Sequence, residues 1–211
     1  MPVTVSHLRQ INNEVFVIIA SVKHDLLANA LKFKKAGKQL PFGIAKGLTA
    51  TAKDAQAALG KALPENLDRP TPFTMKAFGV EPATKQKQYA KVFIKDDQEK
   101  YLQYQVGGGT RTPARRAVVV PKGVRLNQYG NMTRGAIKKL LARKDVFSGK
   151  VKGVAGIYQR KGTHVQLIVS YADRVQYKKR FPFGDIGQAA VRASSAKNLI
   201  AAIDAALASA R

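Results

Sequence analysis

The sequence predicts an α+β fold in which antiparallel strands form a small curved sheet, packed by one helix from the N-terminal half and a long C-terminal helix, with extended arms and a long basic loop. Two segments have the apolar spacing of helices, two pairs of segments alternate like strands, and 211 residues with 45% hydrophobic composition can bury a core. We expect residues 40–106 and 154–211 to form the core. Residues 1–39 would be an N-terminal arm and apolar segment, and residues 107–153 a basic loop or excursion inserted in the core.

The N-terminal segment contains the most apolar run of the chain, Val15 to Val22. This run is far shorter than the roughly 20 residues that a helix needs to cross a bilayer, so we expect a buried strand or short core helix and no membrane partner. The residues that follow Met1 lack the basic start, apolar stretch and cleavage site of a secretory signal peptide. We therefore expect no export by that route.

A first helix is predicted from about residue 41 to residue 63. Pro41 suits its first turn, and Pro64 is expected to end it, because an interior proline loses a hydrogen bond and clashes with the preceding turn. The apolar residues of this segment recur at spacings of three, four or five, as along one face of a helix; they are Leu40, Ala45, Leu48, Ala52, Ala55, Leu59 and Leu63.

Two strands, Phe73 to Val80 and Tyr89 to Lys95, are predicted after a stiff connector at residues 68–72. The prolines of the connector exclude regular structure there. Both strand segments alternate and contain β-branched or aromatic residues, and the turn signals between them favour an antiparallel pair with Val92 and Ile94 on one face.

A hairpin and a C-terminal helix are predicted in the last third of the chain. Residues 157–159 and 164–171 have β character, and Gly162 between them can supply the positive φ angle of a turn. No helix breaker follows Gly187, and the alanine-rich segment beyond it has an apolar stripe made of Ala189, Ala193, Ala196, Leu199, Ile200, Ile203, Ala206 and Leu207.

The middle segment, residues 107–153, is less regular and contains one short helical pattern, from Thr133 to Arg143. It is typical of an ordered excursion or a long loop. A loop of this size in a compact domain is usually functional or disordered in isolation, and its charge favours an interaction role.

Positive charge is the strongest signal in the sequence. Between Arg111 and Arg180 there are 18 Lys and Arg residues against only Asp145 and Asp173, so this third carries about +16 of the formal net charge of +24. Such a one-sided charge repels itself in a compact fold. We therefore expect an anionic partner to neutralise it or an assembly to spread it.

Ten of these cations are candidates for contact with DNA phosphates or with an acidic partner: Arg111, Arg115, Arg116, Lys122, Arg125, Arg134, Lys138, Lys139, Arg143 and Lys144. Only Tyr129 and Phe147 are aromatic between residues 111 and 150, so the sequence offers few stacking platforms for single-stranded nucleic acid. Contact with the phosphate backbone, without reading of the bases, fits this composition better.

The sequence offers little support for catalysis. The absence of cysteine excludes disulfides, thiol catalysis and cysteine-ligated zinc. The histidines at positions 7, 24 and 164 have no paired metal-binding spacing, and His164, beside a turn, is expected to be exposed. The serines at 194, 195 and 209 have no nearby base, and residues 107–111 lack the order of a phosphate-binding P-loop.

The acidic cluster of Asp96, Asp97 and Glu99 leaves two interpretations open. Paired carboxylates suit Mg²⁺ and would be needed in a nuclease. A solvated turn, with Asp96 or Asp97 capping a helix from Gln98 to Gln105, explains them more simply. We expect no enzymatic activity, no metal and no cofactor.

The order of these segments carries a resemblance. The chain begins this order with a helix, followed by a connector that reads Asp68-Arg69-Pro70-Thr71-Pro72-Phe73-Thr74 and by paired strands. Next come the segment KYLQYQVGGGTR from Lys100 to Arg111, a hairpin and a C-terminal helix. This order resembles tail-completion or neck proteins of tailed bacteriophages, including the minor tail protein Z group of lambda-type phages. The resemblance covers about residues 40–211.

The resemblance implies a non-enzymatic virion protein at the head-tail junction, assembled in the host cytoplasm as a homo-oligomeric ring around the DNA channel. Its partners would be neighbouring head-tail connector, tail-terminator or tail-tube proteins and, through non-specific contacts, the packaged DNA. Residues 1–13 and 107–153 would be arms that order on docking. The interface candidates are Tyr101, Tyr104, Gly107, Gly108, Gly109 and Thr110.

Two other classes share part of this pattern. A basic nucleic-acid-binding module of ribosomal or chromatin type would have the same charge and the same lack of catalytic residues, but it would bind a folded RNA as a monomer. A metal-dependent nuclease using Asp96 and Asp97 would lose cleavage when these residues are replaced by alanine.

Overall fold

The structure is a computed structural model that describes residues 4–6, 17–21, 39–113 and 117–209. It has the predicted α+β class and divides the chain into two compact units. The first unit comprises Met1–Val106 and Arg180–Arg211, and the second comprises Gly107–Lys179. The second unit starts at the predicted position but continues past residue 153, so the predicted hairpin belongs to the inserted unit and not to the core of the first.

The first unit combines helices with a four-stranded antiparallel sheet of order β1-β2-β4-β3. The described elements are β1 (Thr4–Ser6), β2 (Val17–Ser21), α1 (Leu40–Asn66), α2 (Pro72–Met75), β3 (Phe78–Glu81), β4 (Tyr89–Ile94), α3 (Asp96–Gly107) and, after the second unit, α5 (Phe183–Ala208). The apolar run predicted as a strand or short helix contains the strand β2. Of residues 1–13 and 22–38, the structure describes only the three residues of β1. Most of the predicted N-terminal arm therefore lies outside the described residues.

Helix α1 packs the predicted face into the core of the first unit. The residues of the predicted stripe from Ala45 to Leu63 are buried, and Leu40 is half-buried. The prediction that Pro64 ends the helix is wrong, because α1 continues to Asn66. Leu63 is fully buried and its carbonyl accepts a hydrogen bond from the Leu67 N–H at 2.9 Å, which holds the last turn although proline donates no bond there.

Helices α1 and α5 run antiparallel in close contact at two glycines. A β-carbon on Gly43 would lie 3.0 Å from Cβ of Ala206, and one on Gly47 would lie 2.8 Å from Cα of Leu199. Farther along, the Asn198 side-chain amide donates to the Asp54 carboxylate at 2.6 Å. The helix backbones can approach this closely only because the glycines have no side chain.

Strand β4 has the predicted alternation, since Val92 and Ile94 are buried and Phe93 between them is half-buried. Its antiparallel partner is shorter than predicted: β3 starts only at Phe78. The segment from Pro72 to Met75 is a helical turn instead of a strand, because Thr71 accepts a hydrogen bond from the N–H of Thr74 as an N-cap and proline occupies the first helical position.

Helix α5 forms where predicted and begins before Gly187, but only Leu199, Ile203 and Ala206 of the predicted stripe lie on its packed side. Val191, Leu199 and Ala206 are buried, whereas Ile200 and Leu207 are 55% and 40% exposed. The alanines at 189, 193 and 196 are exposed as well. Helix α5 is therefore apolar on its packed face and also on its outer face.

The second unit contains a four-stranded antiparallel sheet of order β6-β9-β8-β7 and a two-stranded ribbon of β5 and β10. Its described elements are β5 (Gly109–Arg111), β6 (Val118–Pro121), α4 (Ala136–Leu141), β7 (Val146–Val151), β8 (Val154–Lys161), β9 (His164–Ala172) and β10 (Val175–Tyr177). The predicted excursion at 107–153 is thus built from strands and a short helix, and α4 is shorter than the pattern from Thr133 to Arg143.

The predicted hairpin is confirmed as β8 and β9, joined by a turn at Gly162 and Thr163 in which Gly162 has a φ of +57°. An extra residue, Ile168, stands in β9 between the positions paired with Ile157 and Tyr158. Because a β-bulge interrupts the alternation of side chains, the consecutive residues Ile168 and Val169 are both buried.

None of the described helices has the length and apolar character that a membrane span requires.

Candidate functional site

The sheet of the second unit carries a covering layer made of α4 and the segment before it. Val146, Ile157, Ile168 and Val169 form a buried cluster on the sheet. Side chains of the covering layer pack against this cluster; they are Val124, Met132, Ile137 and Leu140. These four positions hold the layer to the sheet, and the Lys and Arg side chains of the layer are exposed.

The solvent side of this layer is strongly basic. Lys138 and Lys139 occupy the turn of α4 between the packed residues Ile137 and Leu140, and both are exposed. We call the exposed cations of the layer and its flanks the basic layer: Lys122, Arg125, Arg134, Lys138, Lys139 and Lys144. Six of the ten predicted contact residues thus lie on one structural layer, although they are spread over 23 residues of sequence.

Arg143 is the predicted contact residue that already has an acidic partner. Its guanidinium donates to both carboxylate oxygens of Asp145, at 3.0 and 2.6 Å. The Gln159 amide also donates to Asp145, at 2.8 Å, and these hydrogen bonds, that of Arg143 first, hold the pKa of Asp145 below its ordinary value. Arg143 therefore helps to connect the end of α4 to Gln159 of strand β8 through the Asp145 carboxylate. Less of its positive charge is available to a partner.

The Asp145 network predicts a pH dependence. Because the pKa of Asp145 is lower in the folded than in the unfolded chain, its hydrogen bonds stabilise the fold above the ordinary aspartate pKa, and this stabilisation disappears as pH falls through the folded-state pKa. We expect Asp145→Asn to melt below the wild type at neutral pH and to converge with it in acid. Thermal unfolding of both proteins across pH tests this, and an equal difference at all pH values would contradict it.

The other predicted contact residues lie elsewhere. Arg111 is half-buried in β5, in the ribbon with β10. Arg115 and Arg116 lie outside the described residues. The basic layer therefore does not include these three positions.

The predicted interface residues fall into two places. The Tyr101 hydroxyl is hydrogen-bonded to the hydroxyl of Thr74 at 3.0 Å, and Tyr104 is half-buried on the same helix, α3. Gly107 ends α3, Gly108 has a φ of +73°, and Gly109 and Thr110 begin β5, where the Thr110 hydroxyl donates to Gln176 at 2.6 Å. These residues support α3 and close the ribbon of β5 and β10.

Several exposed cations outside the predicted set belong to the same unit. Lys150, Lys152, Arg160 and Lys161 are exposed on β7, β8 and the turn between them. The one-sided charge from Arg111 to Arg180 includes them, but the prediction of contact residues stopped at residue 144. Lys152 holds a φ of +47°, a region that residues other than glycine seldom adopt.

Aromatic side chains of the second unit give no open stacking platform among the described residues. The Phe147 ring stacks on Tyr158 with centroids 5.8 Å apart, and the Arg160 guanidinium lies over Phe147 at 4.6 Å. Tyr158 is buried, and Tyr129 is half-buried. Bases of a nucleic acid would therefore find no exposed ring among these side chains.

The acidic cluster of the first unit lies in the first turn of α3. Helix α3 starts at Asp96, so Asp96 and Asp97 lie inside it, and the predicted start at Gln98 was too late. Asp97 pairs with Lys100 at 2.7 Å, and Glu99 is buried. Carboxylates at a helix N-terminus are stabilised by the backbone dipoles. Across the described ranges, no group of three or more His, Cys, Asp or Glu residues could hold a metal ion.

Comparisons with known proteins give no relative: no family model, no curated protein and no solved structure matches the chain.

Proposed function

We propose that this chain is a structural, non-enzymatic protein of a tailed-phage virion, which forms a homo-oligomeric ring at the head-tail junction and contacts packaged DNA through its second unit. The observation that supports the proposal most is the basic layer. Its six exposed cations lie in a unit whose only carboxylates are Asp145 and Asp173, and Asp145 is already paired with Arg143.

A surface of this kind suits phosphate contact without base reading. Lys and Arg side chains that neutralise phosphates release condensed counterions from the DNA. The resulting gain in affinity does not depend on the base sequence. A channel protein needs this property, because different DNA sequences pass the same ring. The absence of an open aromatic platform among the described residues also argues for duplex backbone over unstacked bases as the ligand.

A ring also accounts for the net charge of the chain. A formal charge of +24 on 211 residues opposes compaction of a free monomer, and DNA in a channel or acidic surfaces of neighbouring virion proteins would neutralise it. The resemblance in segment order supports a position at the neck, beside head-tail connector, tail-terminator or tail-tube proteins.

The proposal predicts a defined assembly failure. Particles made without this chain should accumulate as DNA-filled heads and separate tails, because the junction between them is incomplete. Addition of purified wild-type protein should restore joined particles, and electron microscopy with an infectivity count measures both. Joined, infectious particles in the absence of the chain would contradict the proposal.

The alternative, a basic nucleic-acid-binding module of ribosomal or chromatin type, is favoured by the same basic layer. It predicts a different ligand, folded RNA. The protein would be a monomer that binds folded RNA at moderate salt more tightly than it binds duplex DNA. Binding of RNA and DNA of equal length, measured over a salt series, separates the two, since phosphate contact alone gives similar and steeply salt-dependent affinities.

A further inference from the structure

Helix α5 has an apolar outer face that no described element covers. We call it the outer face of α5: Ala189, Ala193, Ala196, Ile200 and Leu207, all exposed. Ile200 is 55% exposed, although the opposite side of the same helix is buried through Val191 and Leu199. Because the other side of this helix is already buried in the core, a second, exposed apolar stripe indicates a partner.

We propose that a second copy of this chain covers the outer face, with the two α5 helices packed antiparallel about a twofold axis at Ile200. The charges beside the face set this register. Lys197 and Asp204 are seven residues apart, about two helical turns, so they lie on the same edge of the outer face. Both are exposed, and neither forms an ion pair with a described residue.

The twofold axis places these charges against each other. In an antiparallel pair the same edge of each helix meets its symmetry mate, because an isologous contact repeats every interaction twice. With Ile200 on the axis, Asp204 of one copy lies within one residue, about 1.5 Å along the helix, of the level of Lys197 of the other copy, and Lys197 of the first lies equally close to Asp204 of the second. The contact thus contains two opposite-charge pairs and no like-charge pair along this edge.

Side-chain sizes fit the same register. Ala193 of one copy lies at the level of Leu207 of the other, so a small residue faces a large one on both sides of the axis. The alanines allow the helices to approach closely, and the face extends about 27 Å from Ala189 to Leu207. Repulsion between two chains of charge +24 is screened beyond about 10 Å at 0.1 M salt, which leaves the short-range apolar contact effective.

This contact is separate from the proposed ring. Neighbours in a ring meet through two different surfaces, whereas the α5 contact joins the same surface of two copies. The α5 dimer is therefore proposed for the free protein, because a twofold contact inside a ring would make the two ends of that ring identical. Loss of the dimer would leave the ring proposal standing, and loss of the ring would leave the dimer proposal standing.

A cysteine placed on the axis tests the geometry. The chain has no cysteine, so Ile200→Cys introduces the only thiol. We expect a covalent dimer under mild oxidation, because Cα atoms within about 7 Å can form a disulfide. The control is Ala201→Cys, exposed on the same helix but a quarter turn away. Equal cross-linking of both variants, or of neither, would overturn the proposal.

A charge exchange tests the register in the free protein. By sedimentation equilibrium we expect a wild-type dimer, a loss of dimer affinity of about tenfold or more in Lys197→Asp and in Asp204→Lys, and recovery in the double variant that carries both changes. Ile200→Asp should abolish the dimer, whereas Ala201→Asp should not. A wild-type monomer at all concentrations, or a double variant no better than the single ones, would overturn the proposal.

Discussion

Replacement of Gly47 by valine is expected to lower the free energy of unfolding by about 3 kcal/mol. The new Cβ would lie 2.8 Å from Cα of Leu199 and 3.0 Å from the carbonyl oxygen of Asn198, both backbone atoms of α5. Backbone atoms cannot rotate away as a flexible side chain can, so α5 must shift. The shift would loosen the packing of Leu199, a buried core residue, against α1.

The matched control for this prediction is Gly60→Val on the same helix. A Cβ on Gly60 would meet no atom within 4 Å. Because valine has a higher helix propensity than glycine, by about 0.3 kcal/mol, this variant should be as stable as the wild type or slightly more stable. Urea unfolding of the three proteins measures the difference. Equal stability of both variants would show that the α1–α5 contact is looser than the structure describes.

The second large effect is expected on DNA binding. Replacement of Arg134, Lys138, Lys139 and Lys144 by glutamine removes four cations of the basic layer. We expect the affinity for duplex DNA to fall by about a hundredfold at low salt, and the slope of log affinity against log salt to fall by up to about four, one unit for each phosphate that the variant no longer neutralises. Fluorescence anisotropy over a salt series measures both quantities.

The control for this experiment changes the same number of charges elsewhere. Lys53, Lys61, Lys76 and Lys95 are exposed on the first unit, and their replacement by glutamine gives the same net charge. This variant should keep most of the wild-type slope and affinity. If both quadruple variants lose affinity equally, total charge governs binding and the basic layer has no special role.

The elements that the sequence predicted best are those specified by local pattern. The buried face of α1, the turn at Gly162 and the alternation of Val92 and Ile94 each follow from periodicity or from the backbone freedom of one residue. The helical turn at Pro72 was missed because aromatic and β-branched residues favoured a strand, whereas the Thr71 cap decided the structure.

Features that depend on distant contacts were not predictable in this way. The sequence could not tell which side of α5 packs on α1, because apolar residues occur on both sides; Gly43 and Gly47, far away in sequence, select the packed side. Arg143 was grouped with the free cations although Asp145 is only two residues away, because the sequence does not show which neighbouring charges pair in the fold. The basic layer combines residues that the chain brings together only by packing on the sheet.

Cryo-electron microscopy of phage particles purified from the source of this chain tests the proposed function most directly. The proposal predicts a ring of identical copies between portal and tail, with the basic layer facing the DNA channel or an acidic surface of a neighbouring ring. Absence of the chain from finished particles would contradict it, as would a ring whose basic layer faces only bulk solvent.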